Sequence, residues 1–346
     1  MLKIINELSD KVLSLPAHRL HEELSGPTLV HLKGKKDPAL FLSVLLHGNE
    51  NSGWEVVKNI LAKYQGQTLP RSLSIFIGNV KAARYKKRKL ETQPDFNRVW
   101  NNGTEPENLM MQSVLKIMQE RDIFASIDIH NNNGLNPHYA CINKLGKKYL
   151  KLAREFSRMV IYFIRPTGVQ SLAFAKICPA VTLECGQPGD EYGIQITTDF
   201  VDKILQLDSI EADEGIEETI DLYHTVGIIK IPNEYSFCFN GEKADIEFIK
   251  GVEKLNFEEI NSDTLLGETR KELSKPLIVL DEEGQDIFDN YFYIKDNKIY
   301  SKTRLVPAML TTDIDIIKQD CLCYLMERYD ISQGEKILSD DSPLWS

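Results

Sequence analysis

The chain has 346 residues, of which 42% are hydrophobic, and it carries a formal net charge of -10 at pH 7. This length exceeds the size at which a single hydrophobic core usually stops growing, so we expect a globular protein of two domains. The negative charge argues against nucleic acid or an anionic membrane as the main partner, because either would be repelled by the average surface.

The six cysteines are scattered without the paired CxxC spacing of structural zinc sites, and we interpret them as reduced thiols. The sequence lacks the basic start followed by an apolar segment that is typical of a secretory signal peptide. It also lacks an uninterrupted apolar stretch of about 18 residues, which a membrane-spanning helix needs. Neither export nor membrane insertion is indicated, and we expect a cytoplasmic enzyme.

The first part of the chain alternates apolar strand-like runs with segments of helical periodicity, which is typical of an α/β domain with a parallel or mixed sheet. Strands are predicted over residues 39–46, 73–78, 123–129 and 179–183. Helices are predicted over residues 50–64, 107–120, 145–159 and 195–223.

After the last of these helices the pattern changes to short strand-like runs separated by turn signals such as Asn240-Gly241 and Glu283-Gly284. Strands are predicted over residues 228–231, 244–249, 277–280 and 291–294, and the segment 314–328 carries both strand and helix signals. The sequence therefore predicts an α/β domain over residues 1–224 and a smaller β-rich domain over residues 225–346.

Short polar motifs interrupt the apolar runs of the first domain. They are His47-Gly48-Asn49-Glu50, Asp95-Phe96-Asn97-Arg98, Asp128-Ile129-His130 and Thr182-Leu183-Glu184. His47, His130 and Glu184 each follow directly on a predicted strand, and the carboxyl ends of strands are where open α/β sheets place ligands. We therefore expect these three side chains at one crevice.

Two imidazoles and one carboxylate are the ligand set of many catalytic zinc sites, which leave a fourth position to water. His47 and Glu50 are three residues apart at a strand-to-helix junction, where both side chains can turn toward one point. His130 supplies a third ligand, and Asp128, on the same strand face, can orient neighbouring polar groups. A lone imidazole is more often a hydrogen-bonded core or surface residue, and only the set of three favours a metal.

Other histidines are weaker candidates for a metal. His18 and His21 lie in a polar, helix-like N-terminal segment, and we reject them as ligands. His138 is a distant alternative.

Glu184 ends an apolar run that should be buried, where a carboxylate is costly unless it is paired or serves a function. Beside an activated water it has the position and the basicity to accept a proton and return it to a leaving amine. The alternative is a glutamate at the first exposed position of a loop.

Arg98 offers two parallel hydrogen bonds to a carboxylate, and the Asn97 amide adds a further donor. Both would hold a substrate carboxylate, whereas the alternative is an arginine paired with Asp95 on a surface loop. A basic run before this motif can draw anionic substrates toward a nearby site, although a solvated loop is the simpler interpretation. The run comprises Lys81, Arg84, Lys86, Lys87, Arg88 and Lys89.

In this order, the motifs resemble the succinylglutamate desuccinylase/aspartoacylase family of the zinc carboxypeptidase superfamily over about residues 39–195. The resemblance implies one Zn²⁺ per chain, held by His47, Glu50 and His130, with Glu184 as the general base and acid. It also implies a carboxypeptidase-like α/β fold, a mixed sheet flanked by helices, followed by a smaller β-rich domain that covers the site.

The same resemblance implies that Asn97 and Arg98 contact the substrate carboxylate. The loop between Asn79 and Asp95 is longer than the family pattern, and the arginine that aspartoacylases carry shortly before the catalytic glutamate is replaced within Leu172-Ala173-Phe174. This replacement argues against aspartoacylase activity itself. In the β-rich domain, Tyr300 is a candidate for the family's substrate-binding tyrosine.

We therefore expect a zinc-dependent amide hydrolase that acts on a small N-acyl amino acid or a similar carboxylate. We expect neither nucleic acid nor a membrane as a partner, and a homo-oligomer is possible. The alternatives are a zinc metallocarboxypeptidase that trims peptides or cell-wall fragments, and a metal-binding protein without catalysis. Glu184 argues against the last, because a structural site needs no base and is usually closed by a fourth protein ligand.

Overall fold

A computed structural model describes residues 2–132, 134, 136–211 and 215–329. Within these residues the chain divides into two compact units. Of the described residues, the first unit comprises 2–132 and those within 138–222, and the second comprises 223–329 together with Gly134, Asn136 and Pro137. Residues 330–346 of the predicted β-rich domain lie outside the described residues.

The first unit is built on a mixed β-sheet. Its strands are β1 (Lys3–Ile5), β2 (Thr28–Leu32), β3 (Gly34–Val44), β4 (Leu69–Ile77), β5 (Ile123–His130), β6 (Tyr139–Ile142), β7 (Met159–Tyr162) and β8 (Ala180–Glu184). Their spatial order is β1-β2-β4-β3-β5-β8-β6-β7. The central strands β4, β3, β5 and β8 run parallel to one another, while β2 and β6 are antiparallel to their central neighbours.

Helices connect and cover these strands. They are α1 (Asp10–Leu13), α2 (Ser52–Lys63), α3 (Val80–Ala83), α4 (Pro106–Glu120), α5 (Lys147–Phe156), α6 (Gln170–Phe174) and α7 (Glu191–Gln206), with 3₁₀ helices at Ala17–Glu22 and Ile216–Thr219. None of the helices in the described part of the chain is both long and apolar enough to cross a membrane.

Helices pack on both faces of the central strands, which explains why most side chains on both faces of these strands are apolar. On one face α2 approaches closely because a methyl group at Gly53 would come within 2.9 Å of Val44. On the other face Phe174 of α6 stacks on Phe41 of β3, with ring centroids 4.3 Å apart. Ser43, Asp128 and the site described below lie on this second face.

The structure confirms the four predicted central strands and, with shifted ends, the helices predicted over 50–64, 107–120 and 145–159. The helix predicted over 195–223 is wrong beyond Gln206, and the chain is already a strand at Asp221. The helix ends there because Lys36 Nζ donates to the carbonyl of Gln206 and Arg71 Nη2 to that of Leu207, so both carbonyls are satisfied without a further turn. Residues 212–214 of the predicted helix lie outside the described residues.

The second unit is rich in β-structure. Its elements are β9 (Asp221–Lys230), β10 (Phe237–Cys238), β11 (Ile246–Phe248), a 3₁₀ helix (Val252–Leu255), β12 (Leu265–Thr269), β13 (Ile278–Leu280), α8 (Phe288–Tyr291), β14 (Phe292–Lys295), β15 (Lys298–Ser301), β16 (Val306–Ala308), α9 (Ile314–Gln319) and β17 (Cys323–Arg328). The segment 314–328 thus contains both a helix and a strand, which accounts for its mixed signals.

In this unit β17 lies between β9 and β16, β13 pairs with the other edge of β9, and a separate sheet has the order β10-β11-β12-β15-β14. Both sheets contribute to one apolar core, in which Phe248, Phe292 and Leu325 are buried. The predicted fold class, an α/β mixed sheet flanked by helices with a further β-rich part, is confirmed.

Candidate active site

His47, Glu50 and His130 converge at the carboxyl ends of β3 and β5. His130 is the last residue of β5, and Glu50 precedes α2. His47 follows the end of β3 by three residues, after Leu45 has turned the chain with a left-handed φ of 57°, a conformation that non-glycine residues adopt mainly at constrained sites. Their candidate ligand atoms all lie within 4.8 Å of one another, and all three residues are buried.

Each imidazole lies between two carboxylates. Glu50 bridges the rings, with Oε1 2.7 Å from His47 Nδ1 and Oε2 2.8 Å from His130 Nδ1. On the opposite nitrogens, His47 Nε2 lies 3.0 Å from Asp95 Oδ1 and His130 Nε2 lies 2.8 Å from Asp128 Oδ2. A carboxylate on the remote nitrogen fixes the ring orientation, as it does for metal-bound histidines. Both Nδ1 atoms are therefore directed at one point.

Carboxylates and imidazoles alternate in this cluster, and each group shifts the pKa of its neighbours. Burial alone would raise the pKa of Glu50 and of Asp95, but the neighbouring imidazoles hold both below their usual range. Burial would lower the pKa of His130, but Asp128 and Glu50 raise it well above its ordinary value. The arrangement favours positive charge between the carboxylates, which a divalent cation can supply in place of protons.

Asp128 is wholly buried and orients the His130 ring through its contact with Nε2. Its Oδ1 accepts a hydrogen bond from Ser43 Oγ on the neighbouring strand, and its Oδ2 faces the ring of His130. The contact with Ser43 follows from the register of β3 and β5, which pairs Ser43 with Asp128, and the contact with His130 follows from the strand alternation that places Asp128 and His130 on one face.

Glu184 is the last residue of β8 and pairs in register with His130. Its side chain is buried, and its Oε2 accepts no hydrogen bond from any described residue. Burial raises the pKa of Glu184 to about 8, although His130 opposes the shift. A carboxylate with these properties exchanges a proton readily near neutral pH.

The motif that contains Asn97 and Arg98 lies against His130. Asn97 is buried, with Nδ2 3.2 Å from His130 Nε2, while its Oδ1 accepts a hydrogen bond of 2.9 Å from the N–H of Gln170. Arg98 is half-buried, and its Nη1 donates to the carbonyl of Asn97 at 2.9 Å. Of the two residues that the sequence suggests for carboxylate binding, Asn97 contacts the ligand cluster and Arg98 contacts the backbone of Asn97.

Arg88 is a charged residue of the site that the sequence analysis did not single out. Its Nε and Nη2 lie 3.0 Å and 2.9 Å from Asp95 Oδ2, and its Nη1 lies 4.0 Å from Glu50 Oε1. Its carbonyl accepts the N–H of Gly48, which anchors this loop to the turn of His47. In the sequence, Arg88 is one of six basic residues in a run, and nothing local distinguishes it from the other five.

The weaker candidates lie elsewhere in the described residues. His138 Nε2 contacts Asp190 Oδ2 at 3.0 Å, and His18 and His21 lie in the 3₁₀ helix Ala17–Glu22. Tyr300 lies on β15 and stacks on Tyr293 of the same sheet. Among the residues that the structure describes, His47, Glu50 and His130 are the one group of three potential ligands.

Comparison with known proteins adds independent findings. Residues 36–132 match the family model described as the succinylglutamate desuccinylase/aspartoacylase catalytic domain. No curated protein matches the sequence.

Solved structures share the fold at low identity. The succinylglutamate desuccinylase from Chromobacterium violaceum superposes with a TM-score of 0.57 at 16% identity, covering 86% of this chain and 86% of that chain. A succinylglutamate desuccinylase/aspartoacylase from Rhodobacter sphaeroides gives 0.58 at 11% identity, covering 87% and 89%. Murine aminoacylase 3 gives 0.54 at 13% identity, covering 85% and 97%. The family-model match over residues 36–132 confirms the predicted resemblance to the succinylglutamate desuccinylase/aspartoacylase family, and the solved structures show the same fold.

Proposed function

We propose that this protein is a zinc-dependent hydrolase that cleaves the amide bond of a small N-acyl amino acid or a similar carboxylate-bearing amide. The observation that carries the proposal is the convergence of His47, Glu50 and His130 next to Glu184, a buried carboxylate with an oxygen that accepts no hydrogen bond from the described residues. The family match over residues 36–132 supports the same reaction class.

The donor set fits a catalytic zinc site. Imidazole nitrogens and a carboxylate oxygen are ordinary zinc ligands, and three protein ligands are typical of catalytic zinc, whereas structural zinc takes four. The carboxylates of Asp95 and Asp128 behind the two rings are the outer contacts that such ligands usually have. When bound, zinc would polarise the scissile carbonyl and make the attacking water more acidic.

Glu184 would carry the proton through the reaction. It accepts a proton from the attacking water and later gives it to the leaving amine nitrogen, so that the amine departs neutral. A pKa raised by burial supports both roles, because a strongly acidic carboxyl would be a poor base and a strongly basic one a poor acid.

Arg98 and Asn97 would hold the substrate carboxylate. The Arg98 guanidinium is a planar cation with several N–H donors, and its Nη1 donates to the Asn97 carbonyl. The Asn97 amide nitrogen has two hydrogens and therefore one donor besides the one near His130. Arg88, in contact with Asp95, would balance the carboxylates of the cluster.

A hydrolysis screen tests this proposal. The zinc-loaded protein, the chelated protein and zinc-loaded Glu184→Gln are assayed on a panel of N-acyl amino acids and on short peptides. Zinc-dependent release of a free amino acid from at least one N-acyl amino acid, absent in the variant, is the expected result. Faster trimming of peptides would favour the carboxypeptidase alternative, and tight zinc binding without any hydrolysis would favour a non-catalytic metal protein.

A further inference from the structure

Two buried asparagines follow His130 directly, and their hydrogen bonding differs completely. Asn131 is 4% exposed and Asn132 is 2% exposed. Asn131 Nδ2 donates to Ser52 Oγ at 2.9 Å and to the Gly186 carbonyl at 2.8 Å, while its Oδ1 accepts the N–H of Ser52 at 3.1 Å. Neither Oδ1 nor Nδ2 of Asn132 has a hydrogen-bond partner in the described part of the chain.

A buried amide without partners lowers stability. Leaving such a group unpaired costs free energy of folding, because its hydrogen bonds to water are lost and not replaced, and most buried side-chain polar atoms in proteins are paired. An apolar side chain of similar size would avoid this cost at position 132. The amide is useful there if a ligand supplies the missing donor and acceptor.

Asn132 lies on the face of the sheet that carries the ligand cluster. Two backbone hydrogen bonds hold the chains together just beyond the ends of β5 and β8, since Cys185 N–H donates to the His130 carbonyl and Asn132 N–H to the Gly186 carbonyl, both at 3.1 Å. Side chains alternate along an extended chain, and Asn131 contacts Ser52 at the start of α2 on the opposite side. Asn132, two residues after His130, therefore shares its face with His130 and Glu184.

The hydrogen-bonding atoms of Asn132 determine which group fits. A carboxylate can accept from Nδ2 but has no hydrogen to donate to Oδ1, so it would leave that buried acceptor unpaired. The side chain of Asn132 is neutral and offers an acceptor and donors in one plane. The matching group is another carboxamide, which forms two parallel hydrogen bonds with it.

We infer that Asn132 is a specificity-determining residue that binds an uncharged carboxamide of the substrate. The inference rests on the proposed function and makes it more specific, because it selects N-acyl amino acids with a carboxamide side chain over those with a second carboxylate there.

The first experiment compares N-acetyl-L-glutamine with N-acetyl-L-glutamate, which have nearly the same shape and differ in charge and donors. For the zinc-loaded protein we expect kcat/KM to be on the order of tenfold or more higher for the glutamine compound, since a carboxamide pairs with both the acceptor and a donor of Asn132 and a carboxylate pairs with a donor alone. Asn132→Leu should remove most of this preference. A preference for the glutamate compound, or one that Asn132→Leu leaves intact, would overturn the inference.

The second experiment separates binding from a structural role by thermal unfolding of the full chain. Asn132→Leu should unfold at the same temperature as the unsubstituted protein or higher, because it removes an unpaired amide. The matched variant Asn131→Leu, which loses the hydrogen bonds to Ser52, Gly186 and the Cys185 thiol, should unfold several degrees lower. If Asn132→Leu lowers the unfolding temperature as much as Asn131→Leu does, Asn132 is structural.

A third measurement does not depend on turnover. Calorimetric titration of zinc-loaded Glu184→Gln with the two compounds should show tighter binding of N-acetyl-L-glutamine, and the double variant with Asn132→Leu should lose the difference. That result without hydrolysis by the unsubstituted protein would reject the proposed function and keep Asn132 as a carboxamide contact. Equal affinities, or no binding of either compound, would overturn the inference.

Discussion

His130 and Glu184 are the last residues of two paired parallel strands and stand directly opposite each other in register. In-register neighbours point to the same face, so the imidazole and the carboxylate share one edge of the sheet. Glu50 and Asp128 contact the two ring nitrogens of His130, whereas Glu184 Oε2 has no hydrogen-bond partner in the described residues. This difference motivates a ligand role for His130 and a proton-transfer role for Glu184.

The purified protein should contain about one zinc ion per chain, because three protein ligands match an open catalytic zinc site. Elemental analysis of the His47→Ala and His130→Ala variants should show loss of most of the metal. His138→Ala, at a histidine that pairs with Asp190, should retain it. Full zinc occupancy in both ligand variants would show that the assignment is wrong.

Glu184→Gln should keep its zinc and lose most of its turnover, since the amide preserves the shape of the side chain but cannot accept a proton. The expected loss in kcat is on the order of 10²–10⁴-fold. Steady-state kinetics and elemental analysis on the same preparation check both parts. Loss of zinc would identify Glu184 as a ligand, and near-normal turnover would exclude it as the base.

Glu184 should also make the stability of the metal-free protein depend on pH. Burial raises its pKa from the ordinary 4.5 to about 8, so between these values the folded protein holds a proton that the unfolded chain has lost. The contribution of this proton to the free energy of unfolding is complete below pH 4.5 and is lost as the pH rises through 8. The free energy of unfolding should therefore fall with pH relative to Glu184→Gln, by up to about 5 kcal/mol.

Urea unfolding in the presence of a chelator, from pH 4.5 to pH 8, measures this difference. Glu191→Gln, at an exposed glutamate of α7, is the control and should not change the slope. A constant difference between the protein and Glu184→Gln across the range would show that the carboxyl is not destabilised by burial.

Arg98→Lys should lower kcat/KM on the order of tenfold or more, because a lysine cannot reproduce the two-pronged hydrogen bonding of a guanidinium to a carboxylate. Arg84→Lys, at an exposed position of the basic run, is the matched control and should have little effect. Esterifying the substrate carboxylate gives the complementary test. Equal hydrolysis of the free acid and its methyl ester would mean that Arg98 does not bind the carboxylate.

Asp128→Asn should weaken zinc binding about 10–100-fold without removing a ligand, because the carboxylate that orients His130 and increases its basicity is lost. Competition with a chromophoric chelator measures the affinity. An unchanged affinity would show that the strand and Glu50 alone orient the His130 ring.

The sequence by itself determined the α/β character and the central strands of the first unit. Buried parallel strands are continuous apolar runs, and their ends are visible where polar residues such as His130 and Glu184 begin. Local pattern could not locate the end of α7, because the carbonyls of Gln206 and Leu207 are satisfied by Lys36 and Arg71, which are distant in sequence.

Only the tertiary structure decided which residues of similar local sequence differ in role. Arg88 turns inward to Asp95 while its neighbours Lys86 and Lys87 stay exposed, although all belong to one basic run. Asn131 and Asn132 are adjacent and chemically identical, yet one is fully hydrogen-bonded and the other has no partner in the described residues. The reason is physical: the environment of a side chain is set by elements far away in sequence, whose approach no local periodicity encodes.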